Sequence, residues 1–237
     1  MMEKILVIGD IHGRDIWKDI VKKEEKNVDR IIFIGDYFDT PVVSPGKILK
    51  NFIEIIDYKK ANKEKVVLLL GNHDVHYLFE GKVEKCSGYD AKYAFANRIA
   101  LTEAYSQNFL KYAYEYQDII FSHAGVSASW LSIRTRHLPK AKKTEKISTI
   151  INSLEPEAFS FWDFDTSGSG EHPCQSPIWI RPMALSKELP IGYRQVVGHT
   201  VMNRGIQMVE NALVLTDALS LKQYLTIVDG EFIINNL

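Results

Sequence analysis

Five short blocks of the chain carry side chains whose oxygen and nitrogen atoms bind metal ions, and each block follows an apolar run. The blocks are residues 9–13, 35–39, 71–74, 122–125 and 198–200. Carboxylate and amide oxygens combined with imidazole nitrogens suit divalent cations, so the blocks together predict a centre that holds two such cations side by side. The predicted ligands are Asp10, His12, Asp36, Asn72, His123 and His199.

The apolar runs before the first four blocks, at residues 5–8, 30–34, 66–70 and 119–121, are short and mostly β-branched or leucine-rich. Such runs are typical of strands buried on both faces. Helical patterns alternate with the runs, which predicts an α/β fold with parallel strands. Residues just past the carboxyl ends of such strands converge on one crevice. A single block is more often a turn than a site, but five in order favour a site.

The rest of the chain is predicted as further helices, one loop and a return to strands in a single domain over residues 1–237. A helical insert is expected at about 76–116, and residues 164–174 form a glycine- and serine-rich loop expected to be exposed near the site. Asp229-Gly230 indicates a hairpin. Helices are expected at 14–26, 47–61, 91–97, 101–114, 128–135 and 142–154. The later strands are expected at 195–197, 205–209, 212–216, 221–228 and 231–234.

Composition is typical of a soluble globular protein and gives no sign of a membrane or nucleic-acid-binding protein. The 237 residues carry a formal net charge of −1, so charge does not indicate nucleic acid as a partner. The start of the sequence shows no signal-peptide pattern, and no apolar stretch approaches the roughly 20 residues that a membrane span requires. Cys86 and Cys174 are far apart, which favours two reduced thiols and a cytoplasmic location.

The order GD-x-HG, GD-x-x-D, GNH-D, H-x-G and GH resembles the calcineurin-like metallophosphoesterase superfamily over residues 5 to about 217. Because Val201 stands two residues after His199, where other branches have a second histidine, the resemblance is to the branch of Ser/Thr protein phosphatases and symmetrical diadenosine tetraphosphatases. It implies a β-sandwich of two mixed sheets flanked by α-helices, with a dimetal site at the strand carboxyl ends. The implied metals are Mn²⁺ first, with Fe, Zn or Ni as alternatives.

Carried onto this chain, the resemblance assigns Asp10 and His12 to the first cation, Asp36 to both, and Asn72, His123 and His199 to the second. A water between two cations loses a proton near neutral pH, so a metal-bridging hydroxide is the expected nucleophile. His73 directly follows Asn72 and is the expected proton donor to the leaving group. Asp39 would raise the pKa of His73 and orient its ring.

Arginine is the side chain best shaped to bind phosphate. Arg181, in the segment Trp179-Ile180-Arg181, is the candidate, together with Asn72. The resemblance breaks at Thr40-Pro41, where protein phosphatases have Arg-Gly. Arg14, Arg98 and Arg134 are candidate substitutes.

Three functions remain open. The first is a phosphomonoesterase of the Ser/Thr protein phosphatase kind, and the second is a nucleotide-directed phosphoesterase acting on dinucleoside polyphosphates or on cyclic or terminal nucleic-acid phosphates. The substrate is accordingly a phosphoprotein or a nucleotide, and no membrane partner is expected. The third, a catalytically dead scaffold, is disfavoured because all the ligands and the His73–Asp39 pair are present. Asp74, His76 and His172 are expected to support or border the site.

Overall fold

The computed structural model describes residues 3–160, 164–165 and 167–237. A six-stranded sheet carries the first three blocks. Its strands are β1 (Ile5–Ile8), β2 (Arg30–Phe33), β3 (Val66–Leu69), β4 (Leu110–Lys111), β10 (Gln223–Val228) and β11 (Glu231–Asn236). The spatial order is β11-β10-β1-β2-β3-β4, and the pairs from β1 to β4 are parallel. The carboxyl ends of β1, β2 and β3 therefore lie along one edge.

A five-stranded sheet carries the remaining blocks. It is formed by β5 (Ala113–Tyr116), β6 (Ile119–Ser122), β7 (Arg194–Val197), β8 (Gln207–Val209) and β9 (Leu213–Leu215). The order is β5-β6-β7-β9-β8, with β6, β7 and β9 parallel. The architecture is thus the expected α/β sandwich of two mixed sheets.

Strand alternation explains why β1 is apolar on both faces. Ile5 and Val7 pack in a cluster with Phe121 and Val196 of the second sheet, which fills the space between the sheets. Leu6 and Ile8 point the other way and pack in a second cluster with helical residues such as Phe52. Burial of both faces therefore fixes β1 at the centre of the fold.

Helices cover the outer face of the first sheet and the loops around the site. Among the described residues, none of these helices has the length and apolar character of a membrane span. Two 3₁₀ turns occupy Pro156–Phe159 and Leu219–Leu221. The helices are α1 (Trp17–Glu24), α2 (Pro45–Ala61), α3 (Asn72–Leu78), α4 (Ala94–Ser106), α5 (Ala128–Thr135), α6 (Lys140–Lys143), α7 (Ile147–Asn152) and α8 (Pro182–Leu185).

The prediction of a helical insert at about 76–116 was wrong for its second half. A single helix, α4, replaces the two expected there, and it ends at Ser106 rather than at residue 114. Asn108 adopts a left-handed φ of 57°, which turns the chain so that β4 pairs with β3 and β5 with β6. This long-range pairing outweighs the local helical pattern.

Two further expectations need correction, whereas the hairpin is confirmed. The helix expected at 142–154 is divided into α6 and α7. The loop at 164–174, described apart from residue 166, is only partly exposed, because Gly170 is buried beside Trp179 and Arg181. Asp229 and Gly230 both have positive φ, 52° and 83°, and join β10 to β11 as a two-residue turn.

Candidate active site

Left-handed backbone conformations aim several site residues into the crevice at the strand ends. His12, Asp36, Asp39 and His199 have φ values of 42°, 52°, 58° and 64°. Such conformations cost on the order of 1–3 kcal/mol for residues other than glycine and persist where the surroundings hold them. One such restraint is the hydrogen bond from the His12 backbone N–H to the carbonyl of Asp36 (2.6 Å). Contacts of this kind hold the loops in strained backbone conformations and thereby fix the orientation of the side chains.

Asp10, His12 and Asp36 form the first of two ligand clusters, with ligand atoms within 4.8 Å of one another. The Nδ1 of His12 donates to the carbonyl of Phe38 at 2.7 Å. Its Nε2 is then the nitrogen with a free lone pair, and it lies 3.6 Å from Asp36 Oδ2. A cation between Nε2 and the carboxylates would have an imidazole already oriented by its other nitrogen.

Asp36 also belongs to the second cluster, with His123 and His199. His123 Nδ1 donates to the carbonyl of Ile34 (3.0 Å), so Nε2 faces the site, 3.2 Å from Asp36 Oδ2 and 3.0 Å from Asn72 Oδ1. His199 is oriented in the opposite sense. Its Nε2 donates to the carbonyl of Trp179 (3.1 Å), and its Nδ1 lies 2.9 Å from Asn72 Oδ1.

This arrangement fits two divalent cations. The three backbone carbonyls fix which nitrogen of each histidine carries the proton, so the remaining imidazole lone pairs point at carboxylate and amide oxygens. Lone pairs that converge in this way repel one another unless a cation lies among them. In addition, Asp10 Oδ1 is buried without a hydrogen-bond partner. Since Asp36 belongs to both clusters, its carboxylate is the group that would bridge two cations bound side by side.

The charged groups of the clusters perturb one another strongly. Burial raises the pKa of Asp10 well above its usual value, and the nearby Asp217 carboxyl adds to the effect. Burial also acts to raise the pKa of Asp36, but the charges of His123 and His73 outweigh it and hold that pKa well below the usual range. For His123, burial is outweighed by the Asp36 charge, and its pKa rises to about 9. Bound cations would therefore stabilise the ionised form of this buried pair of carboxylates.

Two glycines allow the backbone to approach the carboxylates of Asp36 and Asp10. A Cβ added at Gly71 would lie 2.1 Å from Asp36 Oδ1, and one added at Gly198 would lie 1.9 Å from Asp10 Oδ1. Both distances are far below van der Waals contact. The glycines of the third and fifth blocks are therefore required by space at the site itself.

Asp74 holds two of the blocks together. Its carboxylate accepts the backbone N–H groups of Gly71, Asp36 and Tyr37, each at 2.8 Å. Burial and the Asp36 charge raise the pKa of Asp74 to about 7. This contact agrees with the supporting position expected for Asp74, because it fixes the backbone on either side of Asp36.

Cys86 makes a contact in the site that the sequence analysis did not predict. The amide Nδ2 of Asn72 donates to Cys86 Sγ at 3.2 Å, which turns Oδ1 of the same amide toward His123 and His199. The backbone N–H of Cys86 donates to His76 Nδ1 at 3.0 Å. Cys86 and Cys174 are both free thiols. A lone cysteine 14 positions after Asn72 gives no pattern that would predict this contact.

His73 and Asp39 lie beside the ligand clusters. His73 Nδ1 lies 2.9 Å from Asp39 Oδ2, and its backbone N–H donates to Asp36 Oδ1 at 3.0 Å. Burial lowers the pKa of His73, but the Asp36 charge and the Asp39 hydrogen bond outweigh it and raise that pKa to about 8. The ring is thus held in one orientation with its protonated form favoured.

Asp39 is itself tied down by three donors. Tyr77 Oη donates to Oδ1 at 2.5 Å, and His76 Nε2 lies 2.8 Å from Oδ2, which also faces His73. Burial acts to raise the pKa of Asp39, but the hydrogen bonds from His73, His76 and Tyr77 lower it overall. Asp39, His73 and His76 meet the spacing of a metal site. Because His76 Nδ1 accepts a backbone N–H, its Nε2 carries a proton and the trio is better described as a hydrogen-bonded network.

Arg181 borders the second cluster. Its Nη1 donates to the backbone carbonyl of His199 and to Thr200 Oγ1, both at 3.1 Å, and its guanidinium lies 5.7 Å from the Trp179 ring centre. Burial lowers the pKa of Arg181, whereas the charges of Glu171, Asp36 and Asp10 act in the opposite direction. The guanidinium is therefore fixed within electrostatic range of the clusters.

The three arginines considered as substitutes at Thr40 have different surroundings. Arg98 pairs with Glu80 (3.0 Å), and Arg134 packs 5.6 Å from the ring centre of Phe164. His172 stacks on the same Phe164 ring, with the ring centres 6.0 Å apart. Arg14 is half-buried and follows Gly13 in the first block. By position in the chain, Arg14 is the substitute next to the site.

Residues 3–162 match the family model described as calcineurin-like phosphoesterase. Two curated relatives are serine/threonine-protein phosphatase 4 catalytic subunits. The protein of Kluyveromyces lactis is 24% identical over 182 residues, which cover 70% of this chain and 54% of the relative. The protein of Eremothecium gossypii is 30% identical over 76 residues, 31% of this chain and 23% of the relative. The chain thus spans about half or less of the relatives it matches.

Solved structures share the fold. A cold-active protein-tyrosine phosphatase of a Shewanella species superposes with a TM-score of 0.60 at 16% identity, over 99% of this chain and 78% of the other. A putative diadenosine tetraphosphatase superposes with a TM-score of 0.52 at 16% identity, over 99% of this chain and 94% of the other. At these identities the similarity concerns the fold alone.

Proposed function

We propose that this chain, which belongs to the calcineurin-like phosphoesterase family, hydrolyses phosphate monoesters with the help of two divalent cations. Membership in the family makes it a hydrolase of phosphate esters. The substrate class, the metals and the residue roles are the proposal. One observation carries it: Asp36 is common to two clusters, one with Asp10 and His12, the other with His123 and His199.

In this proposal Asp10, His12 and Asp36 hold one cation, and Asp36, Asn72, His123 and His199 hold the other, with Mn²⁺ as the first candidate and Fe, Zn or Ni as alternatives. Bound there, the cations would activate a water molecule as the nucleophile and offset the negative charge of the phosphate. The chain's own contribution is to hold the ligands rigidly, through backbone carbonyls on the histidines and through Asp74 on the backbone around Asp36.

Arg181 is proposed to bind the phosphate, with the amide of Asn72 beside it. The carbonyl of His199, the hydroxyl of Thr200 and the Trp179 ring restrain the guanidinium before substrate arrives. A preorganised arginine loses little entropy when it binds two phosphate oxygens. Asn72 is the second predicted phosphate contact, although its Oδ1 faces the two histidines and its Nδ2 donates to Cys86 Sγ.

His73 is proposed to donate the proton to the departing alkoxide. Asp39 accepts from Nδ1, which leaves Nε2 as the nitrogen that faces outward with its proton. Tyr77 and His76 keep Asp39 ionised and in place, so that the ring has a fixed partner. Proton donation matters most for substrates whose leaving group is a poor one.

A phosphoprotein is the first substrate candidate, and a nucleotide is the second. Thr40-Pro41, in place of the arginine and glycine of protein phosphatases, favours the second candidate because one expected phosphate contact is missing. A catalytically dead scaffold is less favoured, since the ligands and the His73–Asp39 pair are geometrically intact. The location in the cell stays a prediction.

A substrate panel with and without Mn²⁺ tests the proposal. The protein is assayed on a phosphopeptide, diadenosine tetraphosphate, a 2′,3′-cyclic nucleotide and a phosphodiester dye, with p-nitrophenyl phosphate as the common reference. We expect Mn²⁺-dependent release of phosphate from the reference compound and from the phosphopeptide. Preference for diadenosine tetraphosphate would favour the nucleotide alternative, and failure on every compound with metal bound would refute hydrolysis.

A further inference from the structure

An open cleft of about 730 Å³ lies beside the proposed active site and has no part in the chemistry described above. Its walls come from the turn after His12, from the segment that leads into α2, and from the loop before β10. This volume lies within the range of roughly 300–1,000 Å³ that small-molecule sites occupy. The cleft is therefore large enough for part of a substrate.

The walls of the cleft are continuous with the active-site loops. Gly13 and Arg14 directly follow His12, and Val42 to Ser44 follow Asp39 by only a few residues. On the third side the cleft is lined by Leu219, two residues after Asp217. Burial raises the pKa of Asp217 overall, although the charges of His12 and Arg14 act to lower it. Arg14 thus lies between the ligand clusters and the cleft.

The cleft is lined mostly by positive charge. Its basic side chains are Arg14, Lys18, Lys47, Lys50 and Lys222, and its acidic ones are Asp15 and Glu54. Glu54 is already neutralised, because Lys18 lies 2.6 Å and Lys50 4.0 Å from its carboxylate oxygens. Within the described part of the chain, neither Lys47 nor Lys222 forms an ion pair. Even with the Asp15 carboxylate counted, the cleft therefore keeps an excess of positive charge, to which Lys47 and Lys222 contribute.

The amino end of α2 adds to this positive potential. Helix α2 has 17 residues and begins at the cleft, with Ser44 at its N-cap and Pro45 in the first turn. The Ser44 side chain makes no capping hydrogen bond and there is no acidic residue in the first turn. Pro45 has no N–H, and the N–H groups of Lys47 and Ile48 already donate to the Ser44 carbonyl. The helix end therefore offers an anion the partial positive charge of its dipole rather than a set of free donors.

We propose that the cleft binds a second phosphate group of the substrate, one that is not hydrolysed. This inference rests on the proposed function, since it places the scissile phosphate at the two cations and the second phosphate at Lys47, Lys222 and the start of α2. Ile16 and Val43, which are partly buried, also line the cleft and offer apolar surface to a linking group. Such a subsite selects a bisphosphorylated or polyphosphorylated small molecule, and it therefore favours the nucleotide candidate over the phosphoprotein.

Matched substrates isolate the second phosphate. The Mn²⁺-loaded protein is assayed on alkanediol bisphosphates of several chain lengths and on the corresponding alkyl monophosphates. For the best-fitting length we expect kcat/KM to favour the bisphosphate by about tenfold, through KM rather than kcat, as for a charge-assisted contact that is equal in the ground and transition states. The double variant Lys47→Gln/Lys222→Gln should reduce this preference to near unity.

A control variant removes the same charge elsewhere. Lys26 and Lys63 are exposed and lie outside the cleft, so Lys26→Gln/Lys63→Gln should leave the tenfold preference unchanged. Equal preference in the Lys47→Gln/Lys222→Gln protein and the wild type would overturn the inference. The same preference for an alkyl phosphate that ends in a carboxylate, or for an acidic phosphopeptide, would also overturn it in favour of an acidic peptide.

A binding measurement separates failure of the subsite from failure of the proposed function. Calorimetry of the Mn²⁺-loaded protein compares an alkane bisphosphonate with the matching monophosphonate, neither of which is hydrolysed. We expect tighter binding of the bisphosphonate, lost in Lys47→Gln/Lys222→Gln and kept in the control variant. If no monophosphate is hydrolysed but this difference persists, the proposed function fails and the subsite stands; if hydrolysis occurs without it, the subsite fails alone.

Discussion

The amide nitrogen of Asn72 donates to the Sγ of Cys86 across 3.2 Å, and this contact determines which way the amide oxygen points. Oδ1 then lies 3.0 Å from His123 Nε2 and 2.9 Å from His199 Nδ1. Cys86 is buried, and its Sγ contacts Asn72 twice, at the amide nitrogen and at the backbone carbonyl. We therefore propose that Cys86 positions Asn72, one of the proposed metal ligands.

Replacement of Cys86 by alanine should weaken the binding of one of the two cations. Without Sγ the amide can rotate, and loss of a contact that orients a ligand costs about 10–100-fold in metal affinity. Cys86→Ser keeps a hydrogen-bond acceptor and should restore most of that affinity. The measurement is a metal titration followed by calorimetry; identical affinities in the alanine and serine variants would argue that Cys86 only fills space.

Gly198→Ala should both destabilise the protein and reduce metal binding. The new Cβ would lie 1.9 Å from Asp10 Oδ1, so the fifth block must move away from the first. We expect a loss of roughly 1–3 kcal/mol in the free energy of unfolding, as for other overpacked sites. Gly46→Ala in α2 is the control, because its Cβ meets no atom within 4 Å, and it should stabilise the protein by about 0.5–1 kcal/mol. Urea unfolding compares the two; equal effects would show that the clash is relieved at no cost.

His73→Asn should slow hydrolysis in proportion to how poor the leaving group is. A proton donor contributes about 10²–10⁴-fold to catalysis where the leaving group needs the proton. We therefore expect a large drop in kcat for an alkyl phosphate and a small one for p-nitrophenyl phosphate. The loss of rate at high pH, where His73 would lose its proton, should disappear in this variant. A uniform drop for both substrates would instead assign His73 to binding.

Asp39→Asn tests the partner of His73 separately. An amide keeps the shape of the side chain but removes the charge that His73, His76 and Tyr77 surround. The alkyl phosphate rate should fall less than in His73→Asn, and its decline with pH should begin at lower pH, because the imidazolium has lost a stabilising charge. The pH profile of kcat measures this; an unchanged profile would contradict the coupling.

Arg181→Lys should raise KM for phosphate monoesters by about tenfold, since lysine cannot reproduce the planar, two-pronged contact. The exposed Arg204, changed to lysine, is the matched control and should leave KM unaltered. Steady-state kinetics on p-nitrophenyl phosphate distinguishes them. The same KM in wild type and Arg181→Lys would remove Arg181 from the phosphate site.

The ligand geometry could be predicted because each ligand follows a strand, and parallel strands bring their carboxyl ends together. Sequence reasoning placed Asp10, Asp36 and His123 in this way, and the structure brings their side chains into contact range. Sequence reasoning failed where contacts between distant parts of the chain determine the local structure. The pairing of β4 with β3 ends the expected helix at Ser106, and the contact between Cys86 and Asn72 depends on a turn that no local pattern specifies.

The basic cleft could not be predicted from the sequence either. Lys47 and Lys222 are 175 positions apart in the printed chain and have no common pattern; only the fold places the start of α2 beside the loop before β10. Net charge near zero gave no hint of a local excess. The sequence did, by contrast, show Thr40-Pro41 as a departure from the pattern of protein phosphatases.

The central claim is that two cations at Asp36 make this chain a phosphomonoesterase. It is tested most directly by titrating metal-depleted protein with Mn²⁺ while following both bound metal and phosphate release from p-nitrophenyl phosphate. We predict negligible hydrolysis without metal and full activity when two equivalents are bound. The Asp36→Asn protein should neither bind two equivalents nor hydrolyse the substrate. Full activity of the metal-depleted protein, or two tightly bound equivalents with no hydrolysis, would contradict the account.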